Sequence, residues 1–329
     1  MEEVILEIRN LRTYFYTYEG VVRALDGINL DIKKGEAVGL VGETGCGKSV
    51  TALSIMRLIQ SPPGKIVGGE ILFEGKNLLE LTEDEMRDIR GNEIAMIFQE
   101  PMTSLNPVFT IESQMREIIM LHQKVGKDEA KKRALEMLKL VGMPDPEKVL
   151  KQYPHELSGG MRQRAMIAME ISCSPDLLIA DEPTTALDVT IQAQILKLIK
   201  GIMGEIDASL LLITHDLGVI AKICDRVAVM YAGVIVEFAD VRSIFKDPMH
   251  PYTKGLINAI PKLSEKRERL EIIRGRVPNL IHPPSGCRFH PRCDFRMDIC
   301  DKEKPPAFNV KSEHSVACYL YKKVEEVAR

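Results

Sequence analysis

The stretch Gly42-Glu43-Thr44-Gly45-Cys46-Gly47-Lys48-Ser49 constrains this chain more than any other. It follows an apolar run, Ala37-Val38-Gly39-Leu40-Val41, that reads as a short buried strand. It precedes Val50 to Ile59, where apolar residues recur at helical spacing. Strand, Gly-rich turn and helix form the context that the phosphate-binding pattern G-x-x-x-x-G-K-[ST] requires. Glycines let backbone N–H groups turn inward around an anion, and the helix that follows adds the positive end of its dipole. Lys48 is placed to reach the outer phosphates and the Ser49 hydroxyl to ligate Mg²⁺. The pattern therefore predicts a bound nucleoside triphosphate.

At 329 residues the chain is long enough for about two domains. It is 45% apolar and 28% charged, with a formal net charge of −3, so nothing marks it for nucleic acid. No run approaches the ~18 apolar residues that span a bilayer, and Met1-Glu2-Glu3 does not open a secretory signal. The expectation is an intracellular protein whose membrane role, if it has one, is exercised through partner proteins. Of its seven cysteines, Cys46, Cys173 and Cys224 are scattered, whereas Cys287, Cys293, Cys300 and Cys318 crowd the C-terminal end. In a reducing compartment such a cluster reads as metal binding before disulfides.

Alternating apolar and polar positions from residue 4 to 32 predict antiparallel strands, with an aromatic patch (Tyr14, Phe15, Tyr16, Tyr18) between them. That patch fits either strand packing or an adenine-stacking platform. Glu70 to Gly75 and Ile94 to Phe98 read as further strands, the second ending at Gln99. A turn-rich segment, Glu100-Pro101-Met102-Thr103-Ser104-Leu105-Asn106-Pro107, follows. From about Thr110 to Val141 the period is helical, with Ala130, Ala134, Leu135, Leu138 and Val141 on one face, so a helical insert separates two strand-containing parts. Leu157-Ser158-Gly159-Gly160-Met161-Arg162-Gln163 opens another helix with Ser158 as N-cap. Leu177 to Ala180 and Leu210 to Thr214 are wholly apolar strands with helices around them, which argues for a largely parallel, doubly covered α/β sheet. After about residue 240 frequent prolines mark a loop-rich appendage.

Three strand ends carry candidate chemistry. Asp181, at the end of its strand, is placed to hold Mg²⁺, and Glu182 to polarise the water that attacks a γ-phosphate. His215 and Gln99 also stand just past buried strands, where open α/β sheets gather their ligands. The run Leu157 to Gln163 is a second anion-binding helix start, too far along the chain to serve its own phosphate loop.

With that run in place the sequence closely resembles the ATP-binding cassette ATPases from about Leu6 to Val236, as a P-loop cassette with a helical subdomain at about 101–172. Carried over by position, the resemblance implies that Gly42, Glu43, Thr44, Gly45, Cys46, Gly47, Lys48, Ser49 and Val50 hold the phosphates. Ser49, Gln99 and Asp181 would surround Mg²⁺, Glu182 would be the catalytic base and His215 the switch histidine. Ser158 and Gly160 would face the ATP of a second ATPase subunit, Asp188 would touch that subunit, and Phe15 or Tyr14 would stack on adenine. No catalytic position departs from the pattern, so ATP hydrolysis is expected. Cys46 would contribute backbone only, with a thiol open to alkylation.

Three features resemble the oligopeptide, dipeptide and nickel importer branch: Pro101 to Pro107, His250-Pro251-Tyr252-Thr253-Lys254-Gly255 with the residues to Pro261, and the cysteine tail. That tail lacks the close cysteine pairs of structural zinc sites, while four thiolates also suit an iron–sulfur cluster; zinc and disulfides remain alternatives. The resemblance to dipeptide-importer ATPases implies a [4Fe–4S] cluster on Cys287, Cys293, Cys300 and Cys318, with Arg288 and Arg292 offsetting thiolate charge. The expected organisation is a nucleotide-binding domain over 1–240 and a cluster-binding appendage over 241–329. The expected function is the ATP-hydrolysing subunit of a peptide importer at the cytoplasmic membrane face. Its partners would be permease subunits, a second ATPase subunit and, indirectly, an extracytoplasmic substrate-binding protein. A nickel or glutathione importer ATPase, or a non-transport cassette protein, is the alternative.

Overall fold

A computed structural model describes residues 3–99, 105–185, 188–260, 273–311 and 313–322. Glu100 to Ser104 and Pro261, used in the sequence reading, and Ala186 and Leu187, just before Asp188, lie outside the described residues. In chain order the strands are β1 (Val4–Thr17), β2 (Gly20–Lys33), β3 (Ala37–Val41), β4 (Gly64–Phe73), β5 (Lys76–Asn77), β6 (Ile94–Ile97), β7 (Leu177–Asp181), β8 (Ser209–Thr214), β9 (Arg226–Tyr231), β10 (Val234–Asp240), β11 (Phe308–Lys311) and β12 (His314–Val316). The α-helices are α1 (Lys48–Ile55), α2 (Glu83–Ile89), α3 (Ile111–Gln123), α4 (Lys127–Leu140), α5 (Pro146–Lys151), α6 (Gly159–Glu170), α7 (Val189–Ile206), α8 (Leu217–Ile223), α9 (Val241–Lys246) and α10 (Pro251–Asn258). No described helix is long and apolar enough to cross a membrane.

Two compact units result. The first comprises residues 1–5, 32–37 and 80–213. Its centre is the parallel trio β6-β7-β8, with Ala95 opposite Leu178 and Leu178 opposite Leu210. Every residue of these strands is buried, as consecutive apolar runs covered on both faces should be. The helical region that reads as one periodic stretch is two helices. Lys124 adopts a left-handed conformation (φ 53°) that ends α3, and Gly126 caps α4. On α3 the stripe Ile111, Met115 and Ile119 is fully buried, each contributing about 1.5–3 kcal/mol of apolar burial. On α4 Ala130, Ala134 and Leu138 form the matching face, small enough for close helix contact.

The second unit comprises residues 6–31, 38–79 and 214–329. Here β1 pairs antiparallel with β4, Leu6 opposite Phe73, with a register shift between Arg9 and Thr13. β3 runs parallel to β9, and β9 antiparallel to β10. The tail adds to this sheet: β12 pairs antiparallel with β10 (Glu237 opposite Val316) and β11 with β12. Beneath that pairing Glu237 is fully buried. It accepts the Met249 and His250 N–H groups at 2.7 and 2.8 Å and sits 2.8 Å from His314 Nε2. The loop-rich tail is thus tied to β10 by strand pairing and by a buried carboxylate.

Candidate nucleotide-binding site

The phosphate loop leaves β3 and enters α1 with Gly47 as N-cap. Two of its glycines are required by geometry. A Cβ on Gly42 would fall 2.1 Å from the Met230 carbonyl oxygen, so the loop can only pass β9 without a side chain. Gly45 lies in the left-handed region (φ 81°) with nothing within 4 Å of its absent Cβ, so glycine is needed there for the backbone conformation and not for space. Lys48 is buried and donates to the carbonyls of Gly42 (2.9 Å) and Glu43 (3.3 Å). Ser49 and Val50 are half-buried in the first turn of α1, and Thr44 is exposed at the loop tip. Cys46 is fully buried and burial pushes its thiol up, which corrects the expectation of a reactive cysteine: only its backbone faces the loop's business.

The second residue of the loop, Glu43, is held from four sides. Its N–H donates to the Tyr252 hydroxyl at 3.0 Å, and its carbonyl accepts from Lys48 Nζ and from the Cys46 N–H (3.2 Å). Its carboxylate takes Arg292 Nη1 at 3.0 and 3.2 Å. Arg292 in turn donates Nε to the Arg274 carbonyl (2.8 Å), Nη2 to the Ile273 carbonyl (3.3 Å) and Nη1 to the Tyr231 hydroxyl (3.4 Å). Its side chain is 6% exposed. Tyr231, Tyr252 and Phe289 pack ring on ring beneath it at 4.7 to 5.4 Å between centroids. Burial, first of all, and Glu43 push the Tyr252 hydroxyl up, so it stays protonated.

Tyr14 donates its hydroxyl to Asp26 at 2.9 Å, while Phe15 pairs with Gly64 across the β1–β4 register. Tyr16 and Tyr18 are the exposed members of the aromatic patch.

In the first unit, Asp181 ends β7 with 5% exposure. Glu182 follows in a left-handed conformation (φ 45°), costly for a non-glycine residue, with its N–H donated to the Ile213 carbonyl at 2.9 Å. Its Oε2 accepts from Gln99 Nε2 (3.1 Å) and from Thr185 Oγ1 (3.0 Å). Gln99 and Glu182, separated by 83 positions, are thus brought together, and Thr185 joins them. Sequence reasoning missed Thr185; its position three residues past the carboxylate, in a turn closed by its own N–H to the Glu182 carbonyl, is the available signal. Ser158 caps α6, accepting the Met161 N–H at 3.3 Å, with the N–H groups of Gly159 and Gly160 in the exposed first turn. Asp188 caps α7, accepting from Thr190 and Ile191, both at 3.0 Å. His215 is exposed just past β8.

The four clustered cysteines line one small cavity together with Phe289, Met297 and Tyr319. None is in a disulfide. Burial, reinforced by the neighbouring thiols, pushes Cys287 up to about 11 and Cys318 to about 12, and Cys293 in the same direction. Among the described residues no group of three or more His, Cys, Asp or Glu side chains is spaced to hold a metal ion. That finding bears alike on the iron–sulfur and the zinc readings, and what the four thiols share is the one cavity. The arginines of this loop do not offset thiolates as the sequence suggested. Arg288 binds Asp26 at 2.7 Å and the Ala232 carbonyl, and Arg292 binds Glu43.

The ABC transporter family pattern matches residues 25–185, and the C-terminal region of oligopeptide and dipeptide transporters matches 236–300. The chain is 54% identical to a probable peptide ABC transporter ATP-binding protein of Sinorhizobium fredii, over 96% of this chain and 95% of that protein. It is 53% identical to the oligopeptide transport ATP-binding protein AppD of Bacillus subtilis, over 96% of this chain and 97% of that one. The dipeptide transport ATP-binding protein DppD of the same organism is 52% identical over 97% of this chain and 95% of its own. Among solved structures, the dimeric structure of a bacterial ABC transporter cassette covers 72% of this chain and 99% of its own, with TM-score 0.64 and 29% identity. This chain belongs to the ABC transporter ATPases of the oligopeptide and dipeptide importer type.

Proposed function

We propose that this chain is the ATP-hydrolysing subunit of a peptide importer, working against the cytoplasmic face of a membrane through permease subunits. The observation that carries the reading is the oriented carboxylate. Glu182 is fixed by its backbone and by two side-chain donors that converge on one oxygen, Gln99 Nε2 and Thr185 Oγ1. A carboxylate oriented in this way can take a proton from water, as a general base requires. The Ser49 hydroxyl would ligate Mg²⁺, which when bound neutralises developing phosphate charge, and the buried Asp181 is a carboxylate of the kind that holds such an ion. The turn at Gly45 and the first-turn N–H groups of α1 would cradle the phosphates, with Lys48 exchanging its carbonyl partners for phosphate oxygens. Ser158 and Gly160 offer a second anion-binding helix start, which in this reading completes the ATP site of a second ATPase subunit. Phe15 or an aromatic neighbour would stack on adenine. The similarity to named peptide transport proteins over 96% of the chain supports peptide as the cargo.

Glu182→Gln should keep ATP affinity and reduce turnover at least a hundredfold; near-normal hydrolysis would remove Glu182 as the base. Reconstituted with its permease partners, the chain should drive uptake of labelled di- and oligopeptides, and uptake of nickel alone would replace the cargo assignment. In the tail the four thiols would hold a [4Fe–4S] cluster, supplying a redox-capable cross-link to a segment with little core of its own. Iron and acid-labile sulfide in anaerobically purified protein, about four of each per chain, would support it. Their absence would remove it.

A further inference from the structure

Glu43 poses a problem for a site that must take a polyanion: it puts a carboxylate inside the phosphate loop. Left uncompensated, that charge would repel every phosphate the loop is shaped to hold. The tail answers it. Arg292 Nη1 meets both carboxylate oxygens and the Tyr231 hydroxyl, while Nε and Nη2 donate to the Arg274 and Ile273 carbonyls. Tyr252, also beyond residue 240, holds the Glu43 N–H and so fixes the same residue's backbone. An arginine with all three nitrogens engaged and 6% exposure has little rotamer freedom left to lose when nucleotide binds.

We propose that Arg292 is a positioning residue for nucleotide binding, neutralising and fixing Glu43 so that the phosphate loop accepts a triphosphate. Because Arg292 adjoins Cys293, whatever holds the cysteine loop in place also holds this counter-charge in place. The inference rests on the reading of Gly42 to Ser49 as the nucleotide site. It concerns affinity, not chemistry: Arg292 meets Glu43 and the aromatic rings of Tyr231 and Phe289.

The test uses the full chain and a fluorescent ATP analogue with Mg²⁺, reading Kd, and steady-state ATPase, reading KM and kcat. Arg292→Ala should raise Kd and KM about tenfold, the scale of one uncompensated charge beside the phosphates, with kcat at saturating ATP within about twofold. Arg292→Lys, which keeps charge but loses the fork, should fall between. Removing the orphaned charge as well, in Arg292→Ala with Glu43→Gln, should bring Kd back to within about threefold of the wild type. A merely structural role for Arg292 would not be rescued by a change at Glu43. Cys293→Ser should weaken binding in the wild-type background and add nothing on Arg292→Ala. Unchanged affinity in Arg292→Ala, no rescue by Glu43→Gln, or additive effects of Cys293→Ser would each overturn the proposal. Lys48→Ala separates the two levels of the argument. If it binds nucleotide like the wild type, the site reading itself fails. If it loses binding while Arg292→Ala keeps it, only the role of Arg292 fails. Should Arg292→Ala not fold, Arg292→Gln carries the same test: it must raise Kd, and Glu43→Gln in the same chain must bring Kd back toward the wild type.

Discussion

Acidification should unlock the start of α10 through one histidine. His250 is 1% exposed and caps the helix with Nδ1, which accepts the Tyr252 N–H at 3.0 Å. That bond needs the neutral ring. Burial lowers its pKa from 6.5 to about 4, against the opposing pull of Glu237; Lys254 adds to the lowering. The folded value lies below the unfolded one, so the stability it carries is complete above the unfolded pKa. It is lost as pH falls from there through the folded value. Taking 6.5 and about 4, the loss relative to neutral pH is about 1 kcal/mol at pH 5.5 and about 2 kcal/mol at pH 4.5. The assay is urea unfolding of the wild type and of His250→Asn, followed over this range by tyrosine fluorescence and backbone ellipticity. Asn keeps a side-chain acceptor for the cap but does not titrate. The difference between the two proteins should shrink as pH falls, by the amounts above. Parallel curves for the two proteins would refute the reasoning, because they would show that His250 titrates alike in folded and unfolded chains.

Two further outcomes follow from the contacts. Asp26 holds Arg288, Lys304 and the Tyr14 hydroxyl. Burial raises its carboxyl, but Lys304, Tyr14 and Arg288 together outweigh that and leave it below the usual range. Asp26→Ala should therefore cost about 3–5 kcal/mol by leaving the buried Arg288 charge unpaired, read as a lowered urea midpoint, and Asp26→Asn should cost less. Thr185→Val should reduce kcat roughly three- to tenfold with KM unchanged, since it removes one donor that orients Glu182.

What the sequence discloses is what short-range geometry enforces. The phosphate loop and the start of α6 were readable because glycines that tolerate positive φ or close approach, and a Ser N-cap, leave a local signature in adjacent residues. The buried strands were readable because both faces are covered, so their apolar runs are unbroken. The break at Lys124 was hidden, since the apolar period continues through it and only one residue changes conformation. The aromatic patch was ambiguous in sequence because Tyr14 and Phe15 have inward partners, Asp26 and Gly64, that lie on other strands. The Arg292–Glu43 contact joins residues 249 positions apart and follows no period, so only the tertiary fold discloses it. For the same reason the arginines beside the cysteines were matched to the wrong charges. Strands β11 and β12 are too short for alternation to be visible at all.

The pairing of β12 with β10 has a consequence for how the protein is made and kept in solution. Without β12, the outer side of β10 would be an open row of peptide donors and acceptors carrying Val236 and Phe238. Such an edge recruits strands from other molecules. A chain shortened before Phe308 would finish on that open edge and would also leave Glu237 without His314. It should aggregate during refolding, whatever the state of its nucleotide site. Because β12 follows β10 in the chain only after the whole cysteine loop, that edge stays open during synthesis until the loop and β12 have both emerged, and the risk of self-association lasts for that interval.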